Sequence, residues 1–154
     1  MAGNDSAVKV HIENVVKKFN TRKGEVVALN GANFDIHENE FVCVVGPSGC
    51  GKSTLLNIIG GLEEPTEGRV LVDGQEVTGP GPDRGIVFQQ YALFPWLTVL
   101  ENVKFGLKLQ GKSDKEAEEI ALKYIKLVEL QDFVHSYPKE LSGGMKQRVA
   151  IARA

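Results

Sequence analysis

The 154 residues amount to one domain in length, and 42% hydrophobic with 25% charged residues is an ordinary globular balance. A formal net charge of −2 argues against a general nucleic-acid surface, which usually shows as a basic excess. Two cysteines, Cys43 and Cys50, are too few and too close together for a disulfide framework and fit a reducing compartment.

The first residues lack the basic start and apolar run of a signal peptide. No apolar stretch approaches the ~20 residues that span a bilayer. Any membrane role is therefore expected to come through a partner.

In chain order, Val8, Val10 and Ile12 alternate with polar residues and predict a first strand. Val26–Leu29 predicts a second strand, and Asn33–Ile36 a short third. Phe41–Val45 is a continuous apolar run, the pattern of a strand buried on both faces. A glycine-rich turn follows, and Ser53–Ile59 predicts a helix, giving a strand–loop–helix unit. Arg69–Val72, Asp73-Gly74 and Gln75–Val77 predict a β-hairpin, because Asp-Gly supplies the positive φ angles of a type I′ turn. Gly85–Phe88 predicts another buried strand.

From Thr98 onward the period becomes helical. Thr98 with Glu101, and Ser113 with Glu116, have capping-box spacing. Ala117, Ile120, Ala121, Tyr124, Ile125 and Val128 form one apolar stripe, expected to be core. A last helix begins near Ser142 and continues to the final residues.

Gly46-Pro47-Ser48-Gly49-Cys50-Gly51-Lys52-Ser53 fits G-x-x-x-x-G-K-[ST], the phosphate-binding loop. Its glycines let successive backbone N–H groups turn inward around an anion. The following helix adds its unpaired N–H groups and the positive end of its dipole. Lys52 is expected to reach the β- and γ-phosphates, and the Ser53 hydroxyl to ligate Mg²⁺. The plain alternative is a glycine-rich turn that only joins strand to helix. Even read functionally, this loop alone does not separate kinases, GTPases and ATPases.

Leu141-Ser142-Gly143-Gly144-Met145 narrows the choice. A serine and two glycines at a helix start offer a hydroxyl and free N–H groups to an anion. By itself Ser142 reads equally as a helix N-cap. The whole segment from Leu141 to Ala154, at its interval from the phosphate loop, resembles the signature segment of ABC-transporter ATPases. Gln89, after Ile86-Val87-Phe88, is similar to that family's Q-loop glutamine. Phe19 is similar to its adenine-stacking aromatic, and otherwise reads as a half-buried aromatic at a strand end. The resemblance runs from about Val10 to Ala154. Gly81–Gln89 and Leu93–Val99 are worded like the nitrate, sulfonate and taurine import group.

The resemblance implies an α/β P-loop core with an antiparallel β part at the start and a helical subdomain over about 90–150. It implies ATP and Mg²⁺ as ligands, with nucleotide contacts at Phe19 and over Gly46, Pro47, Ser48, Gly49, Cys50, Gly51, Lys52, Ser53 and Thr54. Gln89 would share Mg²⁺ with Ser53 and act with Lys52 at the γ-phosphate. Leu141, Ser142, Gly143, Gly144 and Met145 would contact the ATP of a second subunit, a homodimer partner or close paralogue. A membrane permease, fed by an extracytoplasmic solute-binding protein, would rest near Tyr91–Leu97, and the subunit would lie on the cytoplasmic face. By composition that apolar loop is either satellite core or partner surface. The family's Asp-Glu strand, with its general base, and its switch histidine follow the signature, and the sequence given stops before them. This polypeptide alone is therefore expected to bind ATP without turning it over. His11, His37 and His135 precede the signature and read as surface or structural residues. The rivals are a non-transport ABC-type ATPase and a non-catalytic nucleotide-binding fragment. A P-loop kinase fits the Leu-Ser-Gly-Gly segment poorly.

Overall fold

Alternating apolar residues draw Val8–Thr21 (β1) and Gly24–His37 (β2) into a long antiparallel pair. The computed structural model describes residues 7–22 and 24–154, which divide into two units, Met1–Arg84 and Gly85–Ala154. In the first unit, Glu67–Val72 (β3) pairs with the other edge of β1, and Gln75–Glu76 (β4) pairs with β3. The sheet order is β2-β1-β3-β4, antiparallel throughout. Asp73 (φ 50°) and Gly74 (φ 74°) make the tight turn that their sequence predicts.

Strict alternation in β1 fails at one place. Ile12 and Val15 are both fully buried although three residues apart. Asn14, at φ 49°, is the extra residue of a bulge, and the pairing to both neighbours slips there. That slip returns Val15 to the face that Ile12 occupies. Ile12, Val15 and Val70 then form a core with Ile58 of the helix Lys52–Ile59 (α1). The sheet thus fixes the helix that carries Lys52. His11 beside Asp35 and His37 beside Glu40 are surface pairs, as expected of structural histidines.

Three strand expectations need correction. Asn33–Ile36 is not a separate strand but the second half of β2, which pairs with β1 along its whole length. Phe41–Val45 and Gly85–Phe88 are not strands. An apolar run becomes a strand only where a neighbour completes its hydrogen-bond ladder, and neither segment has one among the described residues. Phe41 and Val45 stand 91% and 87% exposed.

In the second unit, Val99–Leu109 (α2), Asp114–Leu127 (α3) and Gly143–Arg153 (α4) pack around Val99, Val103, Ala121, Ile125, Leu130, Leu141 and Val149. Thr98 opens α2 with a complete capping box. The Glu101 carboxyl is held below its ordinary pKa, first by the Thr98 backbone N–H and then by the Thr98 hydroxyl. Ser113 caps α3 through the Glu116 N–H, while the Glu116 carboxylate turns to Lys112 instead of closing the box. Of the α3 stripe, Ala117, Ala121 and Ile125 are buried, whereas Tyr124 is 45% exposed. Lys104 of α2 ties that helix to α3 by bonds of 3.1 Å to both Asp114 and Glu118. No described helix is long and apolar enough to cross a membrane.

Candidate functional site

The phosphate loop ends in a helix start with nothing on it. Gly51 caps α1 at φ 94°, no side chain caps the free N–H groups, and no acidic residue lies in the first turn. Helix starts usually recruit Ser, Thr, Asp or Asn to satisfy those donors. Leaving them bare suits a ligand that is itself an anion. Gly51 is required here twice over. Its φ is left-handed, and a Cβ would run into the Ala28 carbonyl oxygen of β2.

Lys52 arches back over the loop. Its ammonium donates to the carbonyls of Gly46 and Pro47, each at 2.8 Å, and lies 3.6 Å from the Cys50 sulfur. A Cβ on Gly46 would come within 2.6 Å of that sulfur, so the loop closes tightly around it. Residues 46–50 and Ser53 are exposed, and Gly51, Lys52 and Thr54 are partly buried. The result is a positive charge held on the loop beside the uncapped N–H groups of the α1 start.

Phe19 lies on β1 opposite Val26 of β2, two residues before the Ala28 carbonyl that touches Gly51. The ring is 36% exposed, and the Lys17 ammonium sits 5.0 Å from its centroid. Lys17 is in turn held by Glu63 at 2.5 Å and by the Glu64 carbonyl at 2.7 Å. Phe19 and the Ala28 carbonyl against which Gly51 sits therefore belong to one sheet.

The remaining residues named from the sequence fall in the second unit. Gln89 is exposed in a turn. Ser142 caps α4, its Oγ accepting from the Met145 N–H at 3.3 Å. Capping uses one lone pair and leaves the hydroxyl proton free to donate. Leu141 is buried and Met145 packs on the same helical core, while Ser142, Gly143 and Gly144 face outward. Buried flanks thus hold three small exposed residues at a helix start that Ser142 itself caps.

The Tyr91–Leu97 loop is both core and surface. Leu93 packs on the helical cluster. Phe94 packs against Phe105 at 4.5 Å between centroids, the rings tilted by 47°, and lies 5.6 Å from Trp96, which is 69% exposed. One residue that fixes this loop escaped the sequence reading. Asn102, fully buried on α2, accepts from the Phe94 N–H at 2.9 Å. Its NH₂ group shares two hydrogens among the carbonyls of Phe94, Leu97 and Thr98 at 3.1, 2.9 and 2.9 Å. A polar residue between Val99 and Val103 was its only signal.

The protein-family profile described as ABC transporter matches residues 18–154. An uncharacterized ABC transporter ATP-binding protein, MJ0412 of Methanocaldococcus jannaschii, is 60% identical over 146 residues, covering 95% of this chain and 55% of that protein. The nitrate import ATP-binding protein NrtD of Synechocystis sp. is 58% identical over 145 residues, covering 94% and 54%. The chain thus spans about half the length of the curated relatives it matches. Among solved structures, the dimeric MJ0796, a bacterial ABC transporter cassette, superposes with a TM-score of 0.86 at 42% identity, covering 94% of this chain and 68% of that one. Its sequence match, its motifs and its cassette fold together place the chain in the ABC transporter family.

Proposed function

We propose that this chain is the ATP-binding, energy-coupling part of an ABC importer. The observation that carries the reading is the Lys52 ammonium held by two loop carbonyls above an uncapped helix N-terminus. On this reading ATP lays its β- and γ-phosphates into residues 46–54, and Lys52 exchanges a carbonyl partner for a phosphate oxygen. Phe19 stacks on the adenine. Mg²⁺, when bound, would neutralise phosphate charge, and Ser53, at the start of α1, is the first-unit residue that would hold it. A second copy or close paralogue would present Ser142, Gly143 and Gly144 to the same ATP. Catalysis in such a sandwich would rest mainly on positioning and charge stabilisation. Two features support this: the solved MJ0796 relative is described as dimeric, and the exposed Gly143 and Gly144 open α4 with Ser142 as its cap, the Ser142 hydroxyl proton still free to donate.

The exposed Trp96, braced by Phe94, would meet a membrane permease. The permease would in turn be served by an extracytoplasmic solute-binding protein, with this subunit peripheral on the cytoplasmic face. Import, rather than another ABC role, is favoured by the similarity to NrtD.

Alkylation of the two exposed cysteines tests the reading. MgATP slows modification of Cys50, inside the loop, and leaves Cys43 alone; inorganic triphosphate also protects Cys50. In Phe19→Ala the ATP concentration for half protection rises roughly 5- to 150-fold, the worth of about 1–3 kcal/mol of base stacking. The triphosphate curve stays where it was. Cys50 reactivity indifferent to ATP, in protein shown to bind it, places the nucleotide elsewhere.

A further inference from the structure

One dipeptide touches both ends of α4. At the C-terminal end, Arg153 donates to the Ala92 carbonyl at 2.6 Å and to the Tyr91 carbonyl at 3.4 Å. Its guanidinium also lies 5.7 Å from the centroid of the Phe94 ring. Burial draws its pKa below the ordinary arginine value, and the two carbonyls offset part of the lost hydration. At the N-terminal end, the Tyr91 hydroxyl oxygen stands 3.0 Å from where a Cβ on Gly143 would be, with Cζ at 4.0 Å. An eleven-residue helix is about 16 Å long. One long side chain from each partner, arginine and tyrosine, bridges that length.

The backbone between these contacts is strained. Tyr91 and Ala92 are consecutive non-glycine residues at φ 55° and 47°. L-residues adopt that region only at a cost, and neighbouring structure must hold them there. Arg153 supplies that hold on the carbonyl side. On the other side, the tyrosine hydroxyl has no hydrogen-bond partner among the described residues. It is left at the exposed helix start where Ser142, Gly143 and Gly144 offer their own donors. A phosphate oxygen arriving there would find the phenol as a further donor, or would displace it.

We infer that Tyr91 is a positioning residue whose hydroxyl reads what stands over Gly143 and whose strained turn, clamped by Arg153, passes that position to the Phe94–Trp96 aromatic loop. The inference rests on the proposed role of Ser142–Gly144 as an ATP contact. It adds a mechanical link between that contact and the proposed permease surface, both within the second unit. Phe94 connects the two halves of the link, since it faces the Arg153 guanidinium and lies beside Trp96.

Trp96, the one tryptophan in the sequence, reports on the loop. Added methyl groups test the link without nucleotide. Gly143→Ala places its methyl against the Tyr91 hydroxyl, whereas Gly144→Ala meets nothing within 4 Å. The expected result is a shift in Trp96 emission and acrylamide quenching for Gly143→Ala and none for Gly144→Ala. Tyr91→Phe removes the clashing oxygen and leaves Cζ at 4.0 Å, so it restores the parent signal in the Gly143→Ala background. Equal responses from both glycine variants, or no rescue by Tyr91→Phe, overturn the inference.

A second arm uses MgATP. The parent's Trp96 emission changes on binding, and Tyr91→Phe loses that change while Cys50 is protected at the same ATP concentration. Protection with an undiminished Trp96 change in Tyr91→Phe also overturns the inference. If ATP fails to protect Cys50 in the parent, the ATP reading fails by itself, and the methyl rescue still decides whether the link exists. Should Gly143→Ala lose its helical circular dichroism, the nucleotide arm with Tyr91→Phe decides.

Discussion

Lys52→Ala lowers ATP affinity by about 30-fold or more, because a charge-assisted contact to phosphate worth about 2 kcal/mol is removed. The same substitution hardly moves the unfolding midpoint. Among the described residues, Lys52 bonds only to the carbonyls of Gly46 and Pro47 and approaches the Cys50 sulfur, all on an exposed loop. Water replaces the ammonium on those carbonyls when it is gone, so the fold loses little. Loss of affinity without loss of stability is the mark of a ligand contact. Calorimetric titration with ATP, beside thermal unfolding of both proteins, separates the two. Equal dissociation constants contradict the assignment.

Asn102→Ala produces the reverse pattern. The side chain is fully buried and makes four hydrogen bonds to the backbone at Phe94, Leu97 and Thr98. The Thr98 carbonyl keeps a second partner, the Asn102 N–H at 2.9 Å, so it is not orphaned. The Phe94 carbonyl likewise keeps the Leu97 N–H at 3.2 Å, so the groups left without a partner are the Phe94 N–H and the Leu97 carbonyl. An unsatisfied buried group costs about 1–3 kcal/mol, and partial access of water to the loop brings the expected total to roughly 2–4 kcal/mol, at the high end for point substitutions. Urea unfolding followed by circular dichroism shows the falling midpoint, and Trp96 becomes more accessible to acrylamide. ATP binding at the phosphate loop changes little. An unchanged midpoint means the amide contributes no net order to the loop.

What the sequence disclosed was local chemistry. The phosphate loop, the Thr98–Glu101 box and the Asp73-Gly74 turn are each decided within eight residues, where spacing and φ preference act directly. Phe41–Val45 and Gly85–Phe88 depended on distant partners, which an apolar run does not specify. The Asn14 bulge was hidden for a related reason. Only pairing on both edges of β1 makes an extra residue there favourable. Asn102 drew no expectation from the sequence and is core, because its amide substitutes for backbone partners. Tyr124 looked like core and is exposed, because the buried stripe of α3 is narrow and built on Ala117, Ala121 and Ile125. At the candidate site the residue types were legible, but not the return of Lys52 onto its own loop or the reach of Tyr91 to Gly143.

The most direct test of the central claim, that residues 46–53 form an ATP phosphate site, is backbone amide NMR during an MgATP titration. The amides of Gly46, Gly49, Gly51, Lys52 and Ser53 should shift most in the first unit, moving toward the deshielded positions of N–H groups bonded to phosphate. Inorganic triphosphate should reproduce those shifts, while AMP should not. Amides of the 46–53 loop that stay still while ATP binding moves resonances elsewhere would contradict the account.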